Sequence, residues 1–381
     1  MRPACTAARR HADARTLPRW LGDRRMGRGE APVLLDHPRP ARPSAGRGAL
    51  SVLTFNILHG GLRAEPLAEW FQQRERDGRL PDVLALQETN LPVSVRLARK
   101  YGYHLAYYGR DRQGPLRFVN GKAILSRHRI LQAMHATYAV DEDARQAALR
   151  RSDIVFEGGP GELDEDRGAL RVTLRPGGRV VDVYTLHHTL GDAGINASQL
   201  VQLRGLVLER KVPAIIAGDF NANLNVVRAK GLAGPYGATR SVEAYRARYG
   251  HLPTGRPDNA HDARVRAALA ALRRVAGDTY ERAPTTVRRT DGPPLSPDQA
   301  RRILRRAAAG TLDEAVGWRL QDIADGATLA LDTLVGPSLP ASGKRYDAIL
   351  ASAPWRPVSV EIDRSGAASD HTPVETLLTR S

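Results

Sequence analysis

Val212-Pro213-Ala214-Ile215-Ile216-Ala217-Gly218-Asp219-Phe220-Asn221 is the stretch on which the reading of this chain turns. A short apolar run that stops at a glycine and a polar pair reads as a buried strand entering a turn. Asp219 and Asn221 stand two residues apart, so an extended turn puts both on one face. The same grammar recurs at distant points. Leu53-Thr54-Phe55 ends in Asn56, and Ala85-Leu86-Gln87 ends in Glu88. Val183-Tyr184-Thr185-Leu186 ends in His187, and Asp370-His371 lies close to the C-terminus. Each group sits at a strand end, where a sheet presents side chains to a cleft.

Working outward, strands are expected at 50–56, 82–87, 104–108 and 122–126, with helices at 66–76 and 91–100 between them. Residues 169–175 and 180–186 read as a hairpin around Pro176-Gly177-Gly178. Residues 197–210 read as an amphipathic helix with Leu200, Leu203, Leu206 and Val207 on one stripe. Strands return at 348–351, 358–362 and 372–378. Residues 1–48 have little hydrophobic periodicity and are expected to be a disordered Arg-rich tail, with Met26 a candidate start. Residues 49–381 then form one domain with an insert at 222–345. The insert is too long for an ordinary connection, so it is a lid, a subdomain or a partly disordered region. It holds expected helices near 262–276, 297–309 and 313–324, the second capped by Ser296 and started by Pro297.

Composition narrows the class. The net charge of +16 is unevenly spread. Residues 1–48 carry 11 Arg against 4 acids, and residues 222–345 carry 20 basic residues against 12 acidic ones, so the remainder is close to neutral at +1. A basic tail and insert attract phosphate polymers or acidic membranes through a long-range field; a coding bias toward Arg gives the same numbers. No apolar run approaches the ~20 residues of a membrane span. The single Cys5 excludes an internal disulfide framework and a cysteine-built zinc site. A cytoplasmic monomer is the expectation.

The polar strand ends match the needs of phosphate-ester hydrolysis: a cation on the phosphate oxygens, an aligned water, and donors for the developing charge. Glu88 is a hard anionic ligand of the kind Mg²⁺ takes, and Asn56 adds a neutral oxygen or orients Glu88. Asp219 can orient and deprotonate the water, while Asn221 and His187 can donate to phosphate oxygens. His371 can hold the phosphate or relay a proton. Asp370 is a candidate further metal ligand. Asp347, in Arg345-Tyr346-Asp347-Ala348-Ile349-Leu350, can hold His371 in one tautomer. Structural alternatives stand beside these roles: Asn56 as a turn cap, an Asx turn at Asp219–Asn221, and an Asp347–Arg345 surface bridge. His59, in the glycine-rich loop after Asn56, reads equally as a plain loop histidine.

The ordered set Asn56, Gln87-Glu88, Ala123-Ile124-Leu125-Ser126-Arg127, His187, Gly218-Asp219-Phe220-Asn221, Tyr346-Asp347 and Ser369-Asp370-His371 resembles the endonuclease/exonuclease/phosphatase superfamily, the DNase I-like fold. The resemblance covers about residues 50–221 and 346–378. It implies an α/β (α+β) architecture, a four-layer sandwich of two packed, mostly antiparallel sheets, here with a long, partly helical insert. It also implies Mg²⁺- or Mn²⁺-dependent phosphoester hydrolysis, with Asn56, Glu88 and Asp370 at the metal and His187, Asp219, Asn221, Asp347 and His371 in catalysis. The chain departs from the pattern at Gly121-Lys122, where many members have Gly-Asn, and in the length of its insert. His187 is preferred to its neighbour His188 because strand alternation turns His188 to the other face. The expected substrate is a phosphodiester of DNA or RNA. A phospholipid or small phosphoester is the alternative, and a catalytically weak scaffold with a partner-binding insert is a further one.

Overall fold

The computed structural model describes residues 31–46, 48–57, 64–109, 121–140, 167–189, 193–222, 263–289, 347–364, 371 and 373–380. In chain order the first half comprises β1 (Val33–Leu35), β2 (Ala49–Asn56), α1 (Ala64–Arg76), β3 (Val83–Thr89), α2 (Leu91–Tyr101), β4 (His104–Tyr108), β5 (Gly121–Ser126) and β6 (Gln132–Thr137). The second half comprises β7 (Gly168–Leu174), β8 (Val181–His187), α3 (Ala193–Arg210), β9 (Ala214–Asp219), α4 (Ala263–Arg273), β10 (Gly277–Asp278), α5 (Thr279–Arg282), β11 (Thr285–Arg289), β12 (Asp347–Ala351), β13 (Trp355–Arg364) and β14 (Val374–Arg380).

Two sheets result. The first runs β1-β4-β5-β3-β2-β14-β13-β11 and the second β10-β12-β9-β8-β7-β6. Neighbours are antiparallel except β2/β3, β8/β9 and β11/β13, which are parallel. Period-two side-chain alternation sorts each central strand into two faces. Val52, Val83, Ala85, Val183, Ile215 and Ile349 point between the sheets and are buried together. The intervening Leu53, Phe55, Leu84 and Leu86 face outward beneath Trp70 and Phe71 of α1 and Leu97 of α2. On the second sheet Tyr184, Leu186 and Ile216 face Leu200 and Leu203 of α3 and Leu269 and Leu272 of α4. Three apolar seams therefore separate four layers, helix on sheet on sheet on helix. Each fully buried side chain of this size contributes roughly 1.5–3 kcal/mol.

Local chemistry fixes the element ends. The Asn90 side chain accepts from Val93 N at 2.9 Å and caps α2, which ends at Gly102 with φ +71°. Pro176–Gly178 turns β7 back into β8, with Gly177 and Gly178 at φ +57° and +83°. Arg74, 2% exposed near the end of α1, pairs with Asp363 of β13 at 2.8 Å and with Glu375 of β14. Its guanidinium also donates to the Arg79 carbonyl, so α1 is latched to the β13–β14 hairpin.

Several expectations change. The N-terminal segment is not disordered over 31–46: Val33–Leu35 pairs with Tyr107–Leu105 of β4, and Asp82 accepts from Ser44 N and Ser51 N. A three-residue apolar run in an Arg/Pro background is too short to register as periodicity, and β4 supplies its partner from far along the chain. The polar edge strand β6 was likewise outside the expected set, and β13 begins at Trp355 instead of 358. Within the insert, 263–289 is built into the sandwich: β10 extends the second sheet against β12 and β11 extends the first against β13. The expected helices at 297–309 and 313–324 lie outside the described residues, as do His59 and Asp370.

Candidate active site

The inter-sheet face turns polar at one end. Two residues beyond Thr54 it presents Asn56, two beyond Thr185 it presents His187, and two beyond Ala217 it presents Asp219. Two before Ile349 it presents Asp347. Pairing registers align the row: His187 lies opposite Asp219 across β8/β9, and Asp347 lies opposite Asp219 across β12/β9. The site is thus the last rung of the ladder that builds the core. Gly218 belongs to that register because a Cβ there would stand 2.4 Å from the Leu186 carbonyl oxygen.

Glu88 breaks alternation. Gln87 already faces the inter-sheet seam, so a regular strand would turn Glu88 toward the helices. The β3/β5 register shifts between Leu86 and Thr89, and Glu88 sits at φ +50°. A left-handed conformation at a non-glycine residue within a bulge re-aims a side chain. Glu88 is thereby brought to Asn56, whose Nδ2 donates to Glu88 Oε1 at 2.9 Å and to Asp219 Oδ2 at 3.2 Å. Asn56 joins one carboxylate from each sheet through its amide nitrogen.

Around Asp219 the remaining groups converge. His187 Nε2 lies 3.5 Å from Asp219 Oδ2 and 3.8 Å from Glu88 Oε1. His371 Nε2 lies 3.7 Å from Asp219 Oδ2, while its Nδ1 is 2.6 Å from Asp347 Oδ2. Asp219 Oδ1 accepts from Asn221 N at 2.8 Å, closing an Asx turn, and Asn221 stands at φ +46°, a region asparagine tolerates. The Asn221 amide donates to the His188 carbonyl at 2.7 Å, so its side chain braces the loop. His188 itself points into the outer seam against Tyr138 and Phe220.

Burial dominates the electrostatics. The Asp219 carboxyl is pushed up to about 7 by burial, with Asp347 adding to the rise and His371, Asn221 and Asn56 opposing it. His187 is held well below the usual imidazole range by burial, then by the charge of Arg167, with Lys122 also contributing. It is neutral at pH 7 and fit to donate or accept a hydrogen bond. Lys122 and Arg167 are themselves 3% and 6% exposed. Neither was singled out as a site residue from the sequence. A lysine at an inward position of Gly121-Lys122-Ala123-Ile124-Leu125-Ser126 was the available signal.

The donor set fits a hard divalent cation. Asp219, Asp347 and His371 offer ligand atoms within 4.8 Å of one another, and Glu88 adds a carboxylate nearby. Asp347 Oδ1 is buried with no hydrogen-bond partner, an orphaned anionic oxygen of the kind a cation satisfies. Such an arrangement can bind a metal, polarise a bound water and hold an imidazole in a set tautomer.

Residues 53–371 match the Endonuclease/Exonuclease/phosphatase family. The chain belongs to this family. Among solved structures, it is similar to an endonuclease/exonuclease/phosphatase from Beutenbergia cavernae DSM 12333, at 19% identity and TM-score 0.49 over 88% of this chain and 72% of that one. It is also similar to mannosyl-6-phosphatase Bt3783 of Bacteroides thetaiotaomicron VPI-5482, at 14% identity and TM-score 0.46 over 87% and 99%. Sphingomyelinase C from Streptomyces griseocarneus is similar at 15% identity and TM-score 0.45 over 87% and 99%. No curated protein matches the sequence. Endonuclease/exonuclease/phosphatase proteins are phosphoester hydrolases.

Proposed function

We propose that this chain hydrolyses phosphodiesters of nucleic acid with Mg²⁺ or Mn²⁺. The observation that carries the reading is the meeting of Glu88 and Asn56 from one sheet with His187, Asp219 and Asp347 from the other, closed by His371. Glu88 and Asn56, with Asp370, would hold the ion, which supplies charge neutralisation on the phosphate oxygens when bound. Asp347, whose Oδ1 is unpartnered, groups instead with Asp219 and His371, and Asn56 bonds that Asp219.

The chain's own groups do the rest. Asp219 aligns a water for in-line attack and takes its proton as the water oxygen bonds to phosphorus. The bond to the leaving oxygen breaks on the opposite side. Neutral His187 donates to a phosphate oxygen. Asp347 accepts from His371 Nδ1, which leaves Nε2 facing Asp219 and the phosphate, an acceptor in the neutral ring and a donor once the ring has taken up a proton, and so a proton carrier. Asn221 braces the loop that carries Asp219. The net charge of +16, concentrated in the tail and insert, supports a polyanionic substrate.

The test is turnover of plasmid DNA, single-stranded RNA, sphingomyelin and inositol phosphates with Mg²⁺, Mn²⁺ or EDTA. Metal-dependent cleavage of DNA or RNA that falls steeply with salt is the expected result. Salt-insensitive turnover of a lipid or small phosphoester would replace the substrate, and no turnover with any metal would overturn the enzymatic reading.

A further inference from the structure

We propose that Gln87 is a positioning residue, holding the two sheets in mutual register through Thr54 and Thr185 one rung below the acidic row. The proposal rests on the phosphoesterase reading of that row. Gln87 is fully buried. Its Nε2 donates to Thr185 Oγ1 at 2.7 Å across the seam and to Ala85 O at 3.0 Å on its own strand. Thr54 Oγ1 on β2 lies 3.2 Å from Nε2 and 3.3 Å from Oε1. A carbonyl oxygen only accepts, so Ala85 fixes which end of the amide carries the nitrogen.

The placement of the three residues is the argument. Side chains two apart on a strand share a face. Thr54 is therefore directly beneath Asn56, and Thr185 directly beneath His187. Gln87 itself immediately precedes Glu88, whose left-handed backbone needs a fixed point to turn from. One amide thus touches the support of three site residues, two on the first sheet and one on the second. Thr185 also stands opposite Ala217 in the β8/β9 register, two residues below Asp219. The rungs beneath this tie are apolar: Val183, Ile215 and Val83 pack without direction. Apolar contact sets the spacing of two sheets and resists sliding only weakly, whereas a hydrogen bond has a preferred line. A site assembled from both sheets requires its groups held to within about 0.5 Å, and a shift of about 1 Å costs on the order of 100-fold.

Thr185→Val tests this with little change of shape, since it exchanges only the hydroxyl for a methyl. Mn²⁺ affinity is read by calorimetry without substrate, kcat and KM on bis(4-nitrophenyl) phosphate, and folding by thermal melt. Thr185→Val is expected to weaken Mn²⁺ binding and lower kcat by about 10–100-fold each, the range for residues that orient metal ligands. KM should stay within about twofold, since loss confined to the transition state leaves substrate affinity in place. Thr185→Ser should recover most of both losses. Should Thr185→Val not fold, Thr54→Val reads the same tie from the first sheet. Unchanged Mn²⁺ affinity and kcat in the valine variant, or a serine variant no better than valine, would overturn the positioning role while wild-type turnover leaves the enzymatic reading intact. A wild-type protein that neither binds Mn²⁺ nor turns over the diester overturns both.

Discussion

Asp219→Asn should stabilise the metal-free protein at alkaline pH, by an amount that grows with pH, while removing activity. The folded carboxyl is raised from 3.8 to about 7 because burial removes its hydration. A native group that holds its proton more tightly than the unfolded chain contributes stability below the unfolded pKa and loses it as pH rises through the folded pKa. At about 1.36 kcal/mol per unit, the wild type gives up about 1–2 kcal/mol by pH 5 and about 4 kcal/mol by pH 8. The variant has no such charge. It suffers about 1 kcal/mol at every pH because its amide nitrogen faces Asn56 Nδ2 donor to donor. Titrating groups remote from Asp219 are common to both proteins and cancel in the difference, whereas Asp347 and His371, which act on its carboxyl, add their own smaller change. The stability gap should therefore move in the variant's favour by about 3 kcal/mol between pH 5 and 8, or about 5 °C at the low end of the usual Tm response. Paired thermal melts in EDTA across that range provide the measurement. Adding Mg²⁺ should reverse the gap, since binding to the native wild type raises its stability by mass action. A gap that stays flat from pH 5 to 8 would refute the claim that Asp219 is held dry between the sheets.

Other expectations follow from single contacts. His371→Ala should lower kcat by at least about 100-fold with an unchanged melt, as loss of a group that stabilises developing charge does; near-wild-type turnover would remove it from the mechanism. Asp347→Asn should reduce kcat by about 10–100-fold by freeing the His371 tautomer, and NMR of the imidazole nitrogens would report the loss directly. Arg74→Ala should cost about 3–5 kcal/mol in urea titrations, because it leaves the buried Asp363 carboxylate without its cation and loosens the half-buried Glu375. Gly218→Ala should lose both stability and activity, since the added methyl presses on the Leu186 carbonyl and moves Asp219; a crystal structure with an unmoved Asp219 would contradict this.

The central strands were legible in the sequence because their apolar residues fill one or both faces of each strand, and the site because its groups terminate those strands. His187 was separable from His188 by alternation alone, and the structure sends the two rings to opposite faces. The aim of Glu88 was not derivable that way: it depends on a bulge against β5, a partner more than thirty residues away. The same limit hid β1 and β6, whose pairing residues lie far along the chain or carry mixed polarity. Lys122 read as a departure from a family pattern, but its burial beside His187 is a property of two sheets in contact, which neither strand encodes by itself.

The insert has a bearing on how this protein could be shortened. Its described part supplies the outermost strand of each sheet on the same side of the sandwich, β10 on one and β11 on the other. Between them, the α5 residue Thr279 bonds the Ile349 carbonyl of the second sheet and the Thr376 hydroxyl of the first. Excising 222–345 as a dispensable appendage would strip that selvedge from both fabrics at once. It would expose β12 and β13 as raw hydrogen-bonding borders, open to pairing with another chain. A minimal version of this hydrolase should keep 263–289, and trimming trials should begin on either side of it.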